Sequence, residues 1–474
     1  MSNNKEILNG DLRVINIGTP KFKQDLDLQN VESVQFDWRP PAGGNSKLLD
    51  ALDFLQNKEE INEANQKTIQ LIKDAHPFLV DIDQAINIIP GMHKKLILHS
   101  GPPIEWKEMA EPVKGAIIGA LMYEGLASNQ EEANELAESG EIEFAPAHKH
   151  DAVGPMAGII SPSMPVHVVE NRTHGNKAFC TVNEGLGKVL RFGANSEEVI
   201  NRLKWIEETF APALKKALAL TDGIDLKSIT SQALHMGDEC HNRNKASTSL
   251  FYREIIDYFL QTDLSKEELR GVTKFIRENE HYFLNLSMPA SKSALDAAHG
   301  VKYSTVVTTM ARNGVEFGIR ISGLDKDQWF TAPANFVKGM FFPGYTEEDA
   351  NPDLGDSAIT ETMGIGGFAM GASPAIVQFV GGEVQDAINY SEQMYEITVG
   401  ENSNYSIPTL NFRGGAYGID IRKVIETSIL PVINTGMAHK KAGIGQIGAG
   451  IVHPPFECFE KAITAFVDMY KEGQ

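Results

Sequence analysis

Cysteine is scarce in this chain. Only Cys180, Cys240 and Cys458 occur in 474 residues, far apart and without a CxxC pair. A disulfide framework is therefore not expected, and the three read as reduced thiols of a cytoplasmic protein. Positive charge is also short: 43 Lys and Arg face 63 Asp and Glu, for a net charge of −20. With no Lys/Arg-rich run, nucleic acid is not an expected partner. An anionic substrate would need a local positive site against this overall field. The opening MSNNKEILNG lacks the apolar core of a signal peptide. The longest uncharged run, Thr362 to Gly382, could span a bilayer by length alone. It holds six glycines, Pro374, Ser373 and Gln378, so it reads as a buried or ligand-facing segment and no membrane partner is expected.

What is present is ordinary for a soluble enzyme: 42% apolar and 22% charged residues. At ~150 residues per domain the length implies two to four domains. The expected class is a multi-domain α/β and α+β protein. Residues 1–104 read as a Rossmann-like α/β unit, with strands at 12–17 and 31–38 around a helical KFKQDLDLQN, helices at 47–57 and 59–75, and a strand in KKLILHSGPP. Residues 105–195 read as the first part of an α+β domain. A capping box at Ser128 and Glu131 opens a helix, and short strands and loops follow.

Residues 196–300 read as a mainly helical subdomain. Val199, Leu203, Ile206 and Phe210 recur at helical spacing, Pro212 is placed to kink that helix, and Ser265 and Glu268 form a second capping box. Residues 301–474 read as a Gly-rich α+β domain. It opens with a hairpin around Asn313-Gly314 and closes with a helix over 457–471, on which Phe459, Ile463, Phe466 and Tyr470 share a face.

The segment HMGDECHNRNKAS, His235 to Ser247, packs proton-moving and hydrogen-bonding side chains beside an apolar helical pattern. Such groups are costly to desolvate unless they pair with each other or with a ligand. If helical, it puts Asp238, His241, Asn242 and Lys245 on one face, with Glu239 and Arg243 as an i,i+4 pair. His241 then suits acid/base or oxyanion work, Asp238 or Glu239 would orient it, and Arg243 would hold an anion. The competing reading is a surface turn laced with salt bridges. Asp238 and His241 alone do not complete a metal ligand set, so no metal and no cofactor are expected.

Other segments are candidates for substrate or anion binding. His148 and His150 precede Gly154-Pro155; on a strand they would face the same way, and otherwise they form a polar strand end. Gly364, Gly366 and Gly367 could turn backbone amides toward a phosphate, or could simply allow close packing. Gly443-Ile-Gly-Gln-Ile-Gly448 spells GxGxxG but lacks the surroundings of a dinucleotide site; Lys440 and Lys441 beside it could still hold an anion. Of Arg172, Arg191, Arg312, Arg320 and Arg413, the last is the preferred clamp, because glycines surround it in NFRGGAYG.

Five long segments carry a resemblance: HKHDAVGPMAGIISPSMPV, NEGLGKVLRFGA, ALHMGDECHNRNKASTSLF, GDSAITETMGIGGFAMGASPAIVQFVGG and NTGMAHKKAGIGQIGAGIVHPP. Together they resemble the AllG (YlbE-like) family over nearly the whole chain. The resemblance implies a subunit of the oxamate carbamoyltransferase of allantoin, and hence purine and nitrogen, catabolism. It implies an oligomer with an FdrA-like acyl-CoA-synthetase-like subunit and a third subunit. That enzyme passes a carbamoyl group between oxalurate and phosphate, giving oxamate and carbamoyl phosphate, so its small anionic reactants become the expected ligands. No residue-level catalytic assignment comes with the resemblance.

The chain departs from aspartate and ornithine transcarbamylases. Their Ser-Thr-Arg-Thr motif is absent, and His453-Pro454-Pro455-Phe456 does not reproduce His-Pro-x-Gln. Carbamoyl transfer needs a phosphate site, an oxyanion donor and a carboxylate clamp. The glycines at 364–367, His241 and Arg243 are assigned these roles in turn. Two alternatives stand beside this one: an amidohydrolase- or ligase-like enzyme on a related small acyl amide, and a non-catalytic scaffold or regulatory partner of an FdrA-like subunit.

Overall fold

The structure, a computed structural model, describes residues 13–36, 38 and 40–472. Leu12 and Asp37 of the two predicted opening strands, and the N-terminal stretch read for a signal peptide, lie outside the described residues. In chain order the first half holds β1 (Arg13–Ile17), β2 (Glu32–Phe36), β3 (Pro77–Gln84), β4 (Leu96–His99), β5 (Glu143–Pro146), β6 (Pro165–Asn171), β7 (Lys177–Thr181) and β8 (Ile224–Asp225). The second half adds β9 (Val307–Asn313), β10 (Glu316–Ile321), β11 (Phe330–Pro333), β12 (Lys338–Phe341), β13 (Leu354–Gly355), β14 (Thr398–Ile407), β15 (Arg413–Ile419), β16 (Ile433–Ala438) and β17 (Gln446–Val452). The architecture is mixed α/β, with several small sheets and many helices.

The opening βαβ is present: β1 and β2 pair in parallel around helix Pro20–Leu28. The predicted Rossmann-like sheet does not extend beyond it: the predicted third strand, β4, pairs with β5, and β3, which the sequence reading did not mark, joins β6 and β8 antiparallel. The reason is in the pattern of PFLVDIDQ. Leu79 and Ile82 are buried, whereas Asp81 and Asp83 stand partly exposed and both reach Lys215. A strand with one wet face suits an antiparallel sheet; a central parallel strand is covered on both faces. A parallel crossover does occur later, where β4 pairs with β5 across helices Glu111–Tyr123 and Gln130–Glu138.

Two four-stranded antiparallel sheets dominate, in orders β7-β6-β3-β8 and β11-β10-β9-β13. The predicted hairpin is β9–β10, and Asn313 Oδ1 closes its turn by accepting from the amides of Val315 and Glu316 at 3.0 and 2.7 Å. Helix Leu284–Ala297 packs against β6, β7 and β9 and is buried along nearly its whole length. The closing helix, Phe456–Glu472, buries Phe459, Ile463, Phe466 and Tyr470 as its spacing predicts. Helix Glu197–Trp205 continues through a π turn at Ile206–Phe210 into Ala211–Leu218, so the irregularity precedes Pro212.

The Ser265–Glu268 capping box forms with both bonds. Near Ser128 the helix starts one residue later than predicted, because Asn129 accepts from the Glu132 amide at 3.0 Å. No helix among the described residues is long and apolar enough to cross a membrane. The uncharged run from Thr362 instead forms short helical turns, buried through Ser373.

Candidate functional site

Three of the segments singled out by their residues meet around Gly355–Thr362. Asp356 and Glu361 lie five positions apart, both fully buried, and each engages a histidine from a different segment. Asp356 accepts from the amides of Gly101 and Gly154 at 2.7 and 3.0 Å, and lies 3.4 Å from His148 Nε2. Glu361 Oε1 lies 2.7 Å from His241 Nδ1 and accepts from the Gly367 amide at 2.8 Å. Its second oxygen accepts from Thr360 Oγ1 at 3.0 Å. Gly355 permits this convergence: its φ is +114°, and a Cβ there would sit 2.5 Å from the Met156 amide nitrogen.

The His235–Ser247 cluster is a loop, not a helix. Helix Leu226–His235 ends before it and helix Lys245–Gln261 begins after it. Gly237 and Cys240 both adopt positive φ, +81° and +62°, which breaks the helix. Asp238 then holds the loop closed by accepting from the amides of Cys240 and Ser247 at 2.9 and 2.8 Å. The expected single face of Asp238, His241, Asn242 and Lys245 therefore does not form.

Glu239 does meet Arg243, but through the backbone. Its Oε1 accepts from the amides of Asn242 and Arg243 at 2.6 and 2.8 Å, and from Asn434 Nδ2 at 3.2 Å. Its Oε2 is buried without a hydrogen-bond partner among the described residues. Burial, with Asp238 beside it, pushes the Glu239 carboxyl up to about 7. Neither Asp238 nor Glu239 orients His241; Glu361 does. With Glu361 ionised, Nδ1 carries the hydrogen and the tautomer is fixed.

Asn242, Arg243, Asn244 and Lys245 line a cavity of ≈ 460 Å³ with His281, Gln378 and Gln446. Its apolar members Leu186, Phe342, Phe379 and Ile444 are exposed. Burial lowers His281 to about 4, and the nearby Arg191 charge adds to the effect. The GxGxxG loop reaches this cavity with Ile444 and Gln446, not with its lysines. Lys440 Nζ instead donates to the Glu348 carbonyl, on the surface.

The glycine loop does not offer its amides to an anion. Gly364 donates to the Glu361 carbonyl at 2.9 Å, Gly366 to the Glu239 carbonyl at 2.8 Å, and Gly367 to the Glu361 carboxylate. Its role is close approach: a Cβ on Gly366 would lie 2.3 Å from Glu361 Oε1. His148 and His150 sit in a tight turn over Ala147–His150, so they do not face the same way. His148 is fully buried near Lys292 and Arg320, at 3.4 and 3.5 Å, and burial lowers it to about 4. His150 faces outward and contacts the Pro90 carbonyl at 2.7 Å.

Arg413, the preferred clamp, is an exposed ion pair with Glu401 at 2.6 Å and stacks over Tyr395. The glycines beside it, Gly414 and Gly415, take part in the β14–β15 pairing. Arg312 is locked to Asp353, Arg320 lies near Asp296, and Arg172 meets Asp222. The residues that sequence spacing missed are Glu361 as partner of His241, with His281, Gln446 and Asn434 around the same loop and Lys292 beside His148. Each comes from a distant part of the chain, so no local pattern marks them. Among the described residues no group of three or more His, Cys, Asp or Glu is placed to hold a metal.

Comparison with known proteins gives this arrangement a family. The profile described as oxamate carbamoyltransferase subunit AllG matches residues 142–357, which include His148, the His241 loop and Asp356. The chain is 47% identical over 411 residues to the oxamate carbamoyltransferase subunit AllG of Escherichia coli K12, covering 86% of this chain and 98% of that protein. It is 52% identical over 462 residues to the uncharacterized protein YahG of the same organism, covering 97% and 98%. A crystal structure of a conserved protein of unknown function from Enterococcus faecalis V583 superposes with a TM-score of 0.86 at 52% identity, over 86% of this chain and 98% of that one. The chain belongs to the AllG family.

Proposed function

We propose that this chain is a subunit of an enzyme that transfers a carbamoyl group between oxalurate and phosphate, and that the cavity at Asn242–Lys245 houses the transfer. The observation that carries the reading is the buried His241–Glu361 pair, adjacent in sequence to the arginine and asparagines of that cavity. A histidine held by a buried carboxylate is suited to give or take a proton at its other nitrogen.

In the direction of oxamate release, a phosphate oxygen attacks the carbamoyl carbon of oxalurate. The bond from that carbon to the oxamyl nitrogen then breaks, and this nitrogen takes a proton. His241, protonated, donates through Nε2 to the developing oxyanion or to the departing nitrogen. Since the 364–367 amides are engaged and the Lys245 ammonium pairs with Glu280 at 2.7 Å, the Arg243 guanidinium takes over the phosphate role. The chain works with an FdrA-like subunit and a third subunit, as the resemblance implies.

The test is reconstitution. The three subunits are combined with oxalurate and phosphate, and carbamoyl phosphate is measured. Turnover that depends on this chain supports the reading; no turnover by a verified, folded complex removes this substrate pair.

A further inference from the structure

A second, small cavity lies on the other side of the segment that borders the first. Leu186 and Gly187 line the large cavity, while Glu184, Leu190 and Arg191 line the small one. Its volume is ≈ 30 Å³. That exceeds the ~10–15 Å³ needed for one water, and suits a head group of a few atoms. Ile159, Val182 and Leu203 make much of its wall, with Thr181 and Asn285 among the polar members.

Arg191 is the unusual member. It is only 9% exposed, yet it forms no salt bridge among the described residues. Arg312 and Arg320, buried more deeply still, each lie beside an aspartate. The guanidinium donates to the Gly185 carbonyl at 2.8 Å, and its Nε is buried without a partner. Glu184, the nearest source of compensating charge, spends its oxygens on the amides of Leu190 and Arg191 at 3.0 and 3.2 Å. A buried guanidinium whose Nε–H is unmet carries a desolvation cost that a bound acceptor would offset.

We infer that Arg191 is the anchor of a binding site for a small monoanionic carboxylate, whose oxygens meet the Nε edge of the guanidinium inside this cavity. Planar carboxylates match the two-donor fork of arginine. A tetrahedral phosphate dianion would need more donors than the single arginine and mainly apolar wall supply. The site stands on Arg191 and its cavity, and does not depend on carbamoyl transfer elsewhere in the molecule.

The test uses the full chain, titrated calorimetrically with oxamate, with acetamide as the uncharged control and inorganic phosphate as the competing anion. Oxamate is expected to bind, and acetamide and phosphate are not expected to compete. Arg191→Met is expected to weaken oxamate binding by about 100-fold and Arg191→Lys by about tenfold, as loss of a charge-assisted pair and of its fork geometry imply. Arg413→Ala, which removes an exposed ion pair outside both cavities, should leave this binding in place. A crystal structure soaked with oxamate keeps the test decisive if Arg191→Met does not fold: the carboxylate should lie within hydrogen-bond distance of Arg191 Nε. Oxamate found only beside Arg243, phosphate competing as well as oxamate, binding unchanged in a folded Arg191→Met protein, or no binding would each overturn the assignment.

Discussion

His241 Nδ1 lies 2.7 Å from Glu361 Oε1, a contact that joins two buried side chains 120 positions apart. Glu361 is itself held by the Gly367 amide and the Thr360 hydroxyl, so the imidazole is oriented by a carboxylate that has little freedom of its own. In the reconstituted enzyme, Glu361→Gln should lower kcat by about 100-fold while KM changes little, because the amide cannot stabilise the imidazolium. Combined with His241→Ala it should add almost nothing. Independent, additive losses in the double variant would show that the two residues do not act as a unit.

Gly366 sets the approach of that pair. A Cβ there would meet Glu361 Oε1 at 2.3 Å and His241 Cβ at 3.0 Å, in a backbone held at φ +61°. Gly366→Ala should therefore cut activity about as much as Glu361→Gln and lower the melting temperature too, at a cost of about 1–3 kcal/mol. Full activity in the alanine variant would mean that the dyad tolerates displacement.

Arg243→Ala should act on binding, not on folding. Its side chain lines the large cavity, while its backbone amide is what meets Glu239 in the loop. The expected result is a KM for phosphate raised about 10- to 100-fold with an unchanged melting temperature. A fall in kcat alone would assign the arginine to the reaction step instead.

Glu239 makes stability depend on pH in a predictable direction. Its carboxyl is pushed up to about 7 from an ordinary 4.5 by burial. The folded state then binds more protons than the unfolded state between those values. Its contribution is fully present below pH 4.5 and is lost as pH rises through 7, with a span of about 3 kcal/mol. Glu239→Gln keeps the acceptor for the Asn242 and Arg243 amides and removes the titration, so its stability should change less with pH across that window. Parallel denaturation curves for the two proteins at pH 5 and pH 7.5 would contradict the assignment.

The two kinds of arginine pair give a contrast in stability. Arg312 meets Asp353 through Nε and Nη2 at 2.6 and 2.9 Å, both side chains fully buried, so Asp353→Ala should cost about 3–5 kcal/mol by leaving the guanidinium alone. Arg413 is half exposed against Glu401, and Arg413→Ala should cost about 1 kcal/mol or less and leave turnover unchanged. Chemical denaturation and the turnover assay check both; a loss of activity in the Arg413 variant would restore it as a clamp.

Local patterns were readable wherever local physics decides. The β9–β10 hairpin, the Ser265 capping box and the face of the closing helix all follow from spacing and turn chemistry. β3 was missed between the predicted helix at 59–75 and the strand in KKLILHSGPP, although its half-exposed Asp81 and Asp83 flank the buried Ile82. The site was readable only in part. The dense polar run marked His241 and Arg243, yet the positive φ of Cys240 turned a predicted helix into a loop. Glu361 stood in a neighbouring candidate segment, and nothing in spacing could pair it with a histidine so far away. Arg413 pairs with Glu401, and the glycines that drew attention to it accompany strand pairing as readily as ligand approach. Arg191 carried no local sign of its missing partner.

A chain that supplies chemistry and one that only scaffolds its partners differ in what loss of His241 does. His241→Ala is assembled with wild-type partner subunits, the complex is shown to be intact, and carbamoyl phosphate formation from oxalurate and phosphate is followed. The expected rate is at least about 100-fold below that of the wild-type assembly. An intact complex that turns over at the wild-type rate would contradict it and leave the chain a structural subunit.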